Sequence, residues 1–143
     1  MSTPASVETA IDIKFLHTVP ILRIFDVAKA REFYGDFLGF KIDWEQSFEP
    51  GLPVYMQVSR GRLRFHLSEH HGDGSPGVHV FVEMTGIDDF HREVTGKGYK
   101  FMKPCLHDEF YGARSMRVID PFGNRISFNE YNKTNAASKP DNK

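Results

Sequence analysis

The chain has 143 residues, of which 40% are hydrophobic and 13% aromatic, enough for one packed domain and too many for a disordered protein. Its 18 lysines and arginines nearly balance 19 aspartates and glutamates, so charge does not favour binding to nucleic acid or anionic lipid. The single cysteine, Cys105, excludes an internal disulfide, and no apolar run is long enough to span a membrane. We therefore expect a cytoplasmic protein without nucleic-acid or membrane partners.

Both ends of the chain differ in composition from the middle. The N-terminus has neither the basic start nor the apolar stretch of a secretory signal, and we expect residues 1–14 to form a flexible arm. Residues 132–143 are mostly polar and lack aromatic side chains, which predicts a flexible tail. The folded domain is predicted over residues 15–131.

The first half predicts a strand, a helix and three strands. "VPILRIF" (19–25) is typical of a strand, and Asp26 can cap the helix that follows. Apolar residues then recur at spacings of three and four, as on one face of a helix, until Gly39. The three predicted strands are "FKIDWEQSF", "PVYMQVS" and "RLRFHLS", with turns at Pro50–Gly51 and Arg60–Gly61.

The second half repeats this order. "GVHVFVEM" (77–84) predicts a strand, and Thr85 with Asp88 resembles a capping box for a helix that ends at Gly98. Further strands are predicted around "YKFMKPC", "ARSMRVI" and "NRISFNE", with a turn at "DPFG" (120–123). Matching positions lie 58 or 59 residues apart, which indicates a duplicated βαβββ unit over about 15–69 and 77–131.

Alternation along the strands predicts one apolar and one polar face for each sheet. In "GVHVFVEM" the valines share the face that packs on the helix, whereas His79, Phe81 and Glu83 share the other. We expect the polar faces to line a cup that holds a ligand, because buried guanidinium groups without partners are costly. The same parity adds to this cup Arg23, Tyr55, Gln57, Arg62, Arg64, His66, Arg125, Ser127 and Asn129.

Four of the seven histidines lie within residues 65–83. His66 and His79 fall on predicted strands and are expected to point into the cup. His70 and His71 fall in "EHHGDGSPG", which predicts an exposed connection between the two halves.

Two segments carry a family resemblance. "ILRIFDVAKAREFYGDFLGF" resembles the first strand and helix of the vicinal oxygen chelate superfamily, and "RSMRVIDPFGNRISFNE" resembles its closing hairpin. The superfamily includes glyoxalase I, extradiol dioxygenases, fosfomycin-resistance enzymes and bleomycin-resistance proteins. The resemblance implies the α+β glyoxalase/bleomycin resistance fold, in which paired βαβββ units form a mixed curved sheet around a cup. It also implies a homodimer whose clefts lie between units, sometimes between chains.

The resemblance leaves the chemistry open. Metal enzymes of the superfamily take one ligand from each of four strands, and the matching positions here are Val19 or its neighbour, His66, His79 and Ser127. Only two of these bind divalent metals well, and a catalytic metal needs about three protein ligands. One alternative is therefore a lyase, isomerase or dioxygenase in which His66 and His79, with His17 or Glu83, bind Zn, Ni, Mn or Fe.

We favour the other alternative, a metal-free protein of the bleomycin-resistance type that binds an antibiotic-like small molecule by sequestration and is not an enzyme. The resemblance places Tyr111 and Gly112 at the rim of the pocket, where the aromatic ring either stacks on a planar ligand or covers the end of the sheet. The predicted ligand-binding residues are His66, His79, Tyr55, Gln57, Arg23, Arg64, Tyr111, Trp44 and Ser127.

The predicted arginines have two interpretations. They bind an anionic group of the ligand, or they pair across strands with Glu45, Glu49, Glu83 and Glu109. Bleomycin is cationic, so an arginine-rich cup argues against that drug itself. A third possibility, an interaction module with a collapsed cup, predicts a large exposed apolar patch.

Overall fold

The computed structural model of the protein describes residues 11–133, so the predicted arm up to residue 10 and the tail from residue 134 lie outside the described residues. In residues 11–133 two units follow one another, each with the order strand, helix and three strands. No helix in this range is long and apolar enough to span a membrane. The first unit consists of β1 (Ile21–Arg23), α1 (Val27–Ala30, continued by a π-helix over Arg31–Phe37), β2 (Lys41–Gln46), β3 (Tyr55–Arg60) and β4 (Leu63–Ser68). The second consists of β5 (His79–Glu83), α2 (Ile87–Gly96), β6 (Leu106–Glu109), β7 (Ala113–Ile119) and β8 (Arg125–Tyr131).

The strand order confirms the predicted duplication. The first sheet has the order β1-β4-β3-β2 and the second the order β5-β8-β7-β6. In both sheets the first strand of the unit runs parallel to the last, and the remaining pairs are antiparallel. The predicted α+β fold of paired βαβββ units with mixed sheets is therefore confirmed.

Both sheets and both helices contribute to one core. Phe33, Tyr34 and Phe37 of α1 are buried, as the helical spacing predicted, and so are Phe90 and Val94 of α2. The sheets add their apolar faces to the same cluster, at Leu22, Met56, Val58, Phe65 and Leu67 and at Val82, Met116, Val118, Ile126 and Phe128. Because strand residues alternate between faces, the polar faces of both sheets point away from this common core.

A buried carboxylate joins the two units. Asp120, in the turn between β7 and β8, accepts hydrogen bonds from the backbone N–H groups of Phe122 and Asn124 and from the Asn124 side chain. Tyr34 of α1 donates its hydroxyl to the same carboxylate at 2.7 Å. Burial of the Tyr34 ring, and then the Asp120 charge, raises the pKa of this hydroxyl well above its ordinary value.

The two helices begin differently. Asp26 caps α1 as predicted, since its side chain accepts a hydrogen bond from the Lys29 N–H at 2.9 Å. The predicted capping box at Thr85 and Asp88 is wrong, because the residue before α2 is Gly86 in the left-handed conformation. Glu130 of β8 instead accepts the N–H groups of Gly86 and Ile87, and a partner so distant in sequence leaves no local pattern.

The predicted strand over residues 99–105 is also wrong. The chain there is irregular, and β6 begins only at Leu106. Tyr99 stacks on Phe37 of α1 with ring centroids 4.7 Å apart, and Pro104 has no N–H to donate to a neighbouring strand. Packing against the first unit thus takes the place of sheet pairing.

Candidate functional site

The first polar face belongs to the first sheet and consists of Trp44, Tyr55, Gln57, Arg64 and His66. The strand register brings these side chains together, because Trp44 lies opposite Gln57, and Gln57 lies opposite His66. A shift in register between Ile42 and Trp44 marks a bulge at Asp43. Asp43 was not predicted as a site residue, because the alternation along its strand gives no sign of the register shift.

A chain of hydrogen bonds fixes the imidazole of this face. The Asp43 carboxylate accepts from Gln57 Nε2 at 3.0 Å, so the amide oxygen of Gln57 points the other way and accepts from His66 Nε2 at 2.9 Å. His66 Nδ1 then carries the lone pair and accepts the Tyr55 hydroxyl at 2.7 Å. The hydrogen bond from Gln57 is the main cause of the lowered pKa of Asp43. Burial, and then the Arg64 charge, lowers the pKa of His66 and favours this neutral tautomer.

Aromatic rings surround this imidazole. Trp44 and Tyr55 stack with centroids 6.1 Å apart and planes 12° apart, and Trp44 meets the edge of His66 at 5.4 Å. Trp44 keeps 37% of its surface exposed although it lies within a sheet. His70, predicted to be solvated, is instead partly buried with its ring 6.5 Å from Tyr55. The first face therefore offers a flat, partly exposed platform for a planar group.

A groove of about 880 Å³ opens beside Tyr55. Two carboxylates line it, of which Glu45 pairs with Arg31, and Asp73 accepts the Ser68 hydroxyl at 2.8 Å. The other lining residues are Gln46, Ser47, Phe48, His70 and His71. The groove thus places acidic and neutral polar groups at one end of the aromatic platform.

The second polar face belongs to the second sheet and consists of His79, Phe81, Tyr111, Ser127 and Asn129. Tyr111 donates its hydroxyl to Asn129 Oδ1 at 2.6 Å, and Asn129 Nδ2 donates to the Ser127 hydroxyl at 3.0 Å. Ser127 and Asn129 are buried, whereas Phe81 is 53% exposed and lies 6.3 Å from the Tyr111 ring. Burial is the main cause of the lowered pKa of His79, and two arginines lower it further.

The predicted arginines remain without acidic partners. The five arginines are Arg23, Arg62, Arg64, Arg117 and Arg125. Within residues 11–133 none of their side chains forms a hydrogen bond or an ion pair. The ion pairs of this range use other arginines, as in Arg31 with Glu45 and Arg60 with Glu93. The predicted pairing with glutamates across strands is not seen for Glu45, which pairs with Arg31, or for Glu109, which accepts the Ser115 hydroxyl.

The chain resembles known proteins along most of its length. Residues 3–135 match the family described as "Glyoxalase superfamily protein". The bleomycin resistance proteins of Geobacillus stearothermophilus and Staphylococcus aureus are each 30% identical over 131 residues, which cover 79% of this chain and 95% of theirs. The chain is a bleomycin-resistance-like member of the glyoxalase superfamily.

Solved structures of the superfamily show the same fold. A bleomycin-binding protein of Streptomyces verticillus in complex with copper(II)-bleomycin is 29% identical, with a TM-score of 0.60 over 85% of this chain and 99% of that chain. A glyoxalase-related enzyme of Clostridium phytofermentans shares the fold at 19% identity, with a TM-score of 0.66 over 85% and 99% of the two chains.

The donor atoms do not fit the metal site of the superfamily's metal enzymes. Both ring nitrogens of His66 are engaged, one by Tyr55 and one by Gln57. Ser127 stands where a carboxylate ligand is expected, and its hydroxyl accepts from Asn129. His17 lies exposed before β1. Within residues 11–133 no three His, Cys, Asp or Glu side chains lie close enough to hold a metal ion.

The structure divides the predicted ligand-binding residues into two sets. Trp44, Tyr55, Gln57, Arg64 and His66 share the first face, and His79, Tyr111 and Ser127 share the second. The hydrogen bonds and ring contacts of each set stay within its own unit. That His66 and His79 share one hollow stays a prediction. Phe81, Asn129 and Asp43 join the sets without having been predicted as binding residues. Arg23 lies on the edge strand β1 opposite Ser68, which in turn lies opposite Tyr55, so it shares the first face at its β1 edge.

Proposed function

We propose that this protein binds a partly planar small molecule of the bleomycin type and acts by sequestration, without chemical change of the ligand. The stacked Trp44–Tyr55 pair carries the proposal, since it lies on the sheet face away from the core and is partly exposed. A stacked pair in this place adds little to the packing of the protein and suits a planar ligand. The names of the relatives at 29% and 30% identity support the same class of ligand.

The polar groups suit such a ligand. His66 is held by Gln57 and Tyr55, so little freedom is lost when the ligand contacts it. The groove with Glu45 and Asp73 lies next to Tyr55 and suits the cationic part of a bleomycin-type molecule better than the arginines do. The ligand would thus stack on the platform and direct its positive charge away from Arg64.

The unpaired arginines favour a second candidate, a small aromatic acid. Arg117 and Arg125 lie close enough to His79 to lower its pKa, and they lack acidic partners among the described residues. Guanidinium groups bind carboxylates through two parallel hydrogen bonds. An aromatic acid would stack on Phe81 and Tyr111 and place its carboxylate on these arginines.

The proposed assembly is a homodimer. Both polar faces point away from the core of one chain, so a hollow that contains His66 and His79 is best formed by the first face of one chain and the second face of another. Exposed apolar side chains before β1 support a partner chain, since Ile11, Ile13, Phe15 and Leu16 each expose 69% or more of their surface. The proposed location is the cytoplasm, which suits a single exposed cysteine.

Isothermal titration calorimetry with metal-free bleomycin, copper(II)-bleomycin and 1-naphthoate tests the two candidates in one series. We expect Trp44→Ala to weaken bleomycin binding roughly tenfold or more, as the loss of a buried aromatic contact does. Phe101→Ala is the control, because Phe101 is an exposed aromatic residue away from both faces. Mass spectrometry of the released ligand should show it unchanged.

The outcomes separate the candidates. Binding of naphthoate but not bleomycin, reduced by Arg125→Gln, would favour the aromatic acid. The absence of binding to all three ligands, or equal binding by the Trp44→Ala and Phe101→Ala variants, would contradict the platform. Bleomycin recovered in altered form would contradict sequestration.

A further inference from the structure

Arg23 is a partly buried cation without a partner. It ends β1, where it pairs in register with Ser68 of β4. None of its side-chain N–H groups meets an acceptor among the described residues, and Nη1 is also out of contact with solvent. Arg60 shows the usual alternative, with two hydrogen bonds to Glu93 and one to the Leu38 carbonyl. A desolvated charge without hydrogen bonds is unfavourable, so its retention needs another cause.

The surroundings hold this guanidinium in place. Its central carbon lies 4.6 Å from the centroid of the Phe25 ring, a cation–π contact. The backbone carbonyl of Arg23 accepts from Asn124 Nδ2 at 2.9 Å, which fixes the end of β1 to the second unit. The ring contact and the fixed backbone therefore keep the guanidinium next to the end of β1.

A cavity of about 430 Å³ lies beside Arg23, under the connection between the two units. The connection provides His71, Gly72, Gly74, Ser75 and Pro76 as lining residues. Gly74 has φ +81° and passes so close to β1 that a Cβ there would lie 3.1 Å from the Ile21 carbonyl oxygen. No carboxylate among residues 11–133 lines the cavity. Asp73 instead accepts the Ser68 hydroxyl and lines the neighbouring groove.

We propose that this cavity is a binding site for a small oxyanion, a carboxylate or phosphate group, with Arg23 as its main ligand. The planar guanidinium gives two parallel N–H donors to such a group, and the His71 ring and Ser75 hydroxyl add further polar contacts. A small turn of the side chain toward the cavity gives Nη1 the acceptor that it lacks. The site does not depend on the proposed function, because neither the Trp44–Tyr55 platform nor the second face lines the cavity, although its lining shares His71 with the groove beside Tyr55.

Nuclear magnetic resonance titration of the full chain tests the site. Wild-type protein is titrated with inorganic phosphate, sulfate and acetate while chloride keeps the ionic strength constant. The Arg23 side-chain Nε–H and the amides of Gly72 and Gly74 report on binding. We expect saturable shifts with at least one of these anions. Phosphate and acetate distinguish a phosphate-bearing from a carboxylate-bearing ligand.

Matched variants decide the outcome. Arg23→Gln should weaken binding roughly tenfold or more, since a hydrogen bond to a charged group is lost. Arg92→Gln, which removes an arginine from an exposed position of α2, should leave the affinity unchanged. Should Arg23→Gln fail to fold, Arg23→Lys keeps the charge but loses the fork of donors, and a severalfold weaker affinity is expected. Absence of saturable shifts with all three anions, or wild-type affinity in either Arg23 variant, would overturn the proposal.

Discussion

The two units share one fold but treat their polar faces in different ways. In the first, Trp44 and Tyr55 remain partly exposed, and the hydrogen bonds from Asp43 to Tyr55 lie at the surface of the sheet. In the second, Asn129 and Ser127 are buried beneath the face, and the Tyr111 hydroxyl closes over them. The first face is therefore an open platform, and the second is a wall with a sealed polar layer.

This difference shows which parts of a duplicated unit are free to diverge. The apolar residues that alternate with the face residues enter a common core, and both sheets keep the same strand order. Face residues do not contribute to this core, so they change without loss of the fold. The two copies of the unit thus carry faces of different chemical character.

The largest effect is predicted for a substitution at Asp120, whose hydrogen bonds join the two units. Asp120→Ala removes the acceptor of four hydrogen bonds and leaves Tyr34 and Asn124 with buried, unpaired donors. We expect it to lower the free energy of unfolding by about 3 kcal/mol or more, measured by urea denaturation. Asp36→Asn, at an exposed carboxylate of α1, should change it by less than about 0.5 kcal/mol. Equal effects of the two variants would show that the junction is not important for stability.

The second prediction compares the two tyrosine hydroxyls directly. Tyr111→Phe leaves Oδ1 of the fully buried Asn129 without its donor and should cost about 1–3 kcal/mol of stability. Tyr55→Phe removes a bond to His66 that lies near solvent, where water replaces it, and should cost less than about 1 kcal/mol. Urea denaturation of both variants measures the difference. A larger loss in Tyr55→Phe would reverse the assignment of platform and wall.

Local patterns allowed most of the fold to be predicted, and distant contacts account for the errors. The spacing of Phe33, Tyr34 and Phe37 predicted the buried face of α1, and alternation predicted that His79 and Phe81 lie on the face away from the core. The start of α2 depends on Glu130, more than 40 residues away, and no local rule predicts such a partner. In the site, parity predicted which residues share a face. It did not predict the bulge at Asp43, because a register shift depends on the partner strand.

The third prediction concerns the ion pair that joins the end of β3 to α2. Arg60 and Glu93 form two hydrogen bonds of 2.8 Å, but both side chains are more than a third exposed. Solvent screens such a pair, so the coupling energy in a double-mutant cycle of Arg60→Gln and Glu93→Gln should be about 0.5–1 kcal/mol. High salt should reduce it. A coupling above about 2 kcal/mol that is insensitive to salt would show that the units depend on this pair as strongly as on Asp120.

The smallest predicted effect is on the imidazoles of the two faces. Burial and Arg64 lower the pKa of His66 below its ordinary value of about 6.5. The unfolded chain therefore binds this proton more tightly, and the stability from neutral His66 is present above pH 6.5 and is lost as the pH falls through the folded-state pKa.

Arg64→Gln should raise the pKa of His66 toward the ordinary value, and Arg125→Gln should do the same for His79, as measured by NMR titration. Arg92→Gln, at an exposed position of α2, is the control and should change neither. If His66 is still mostly protonated in neutral solution, its Nδ1 does not accept the Tyr55 hydroxyl, and the direction of that hydrogen bond would have to be reversed.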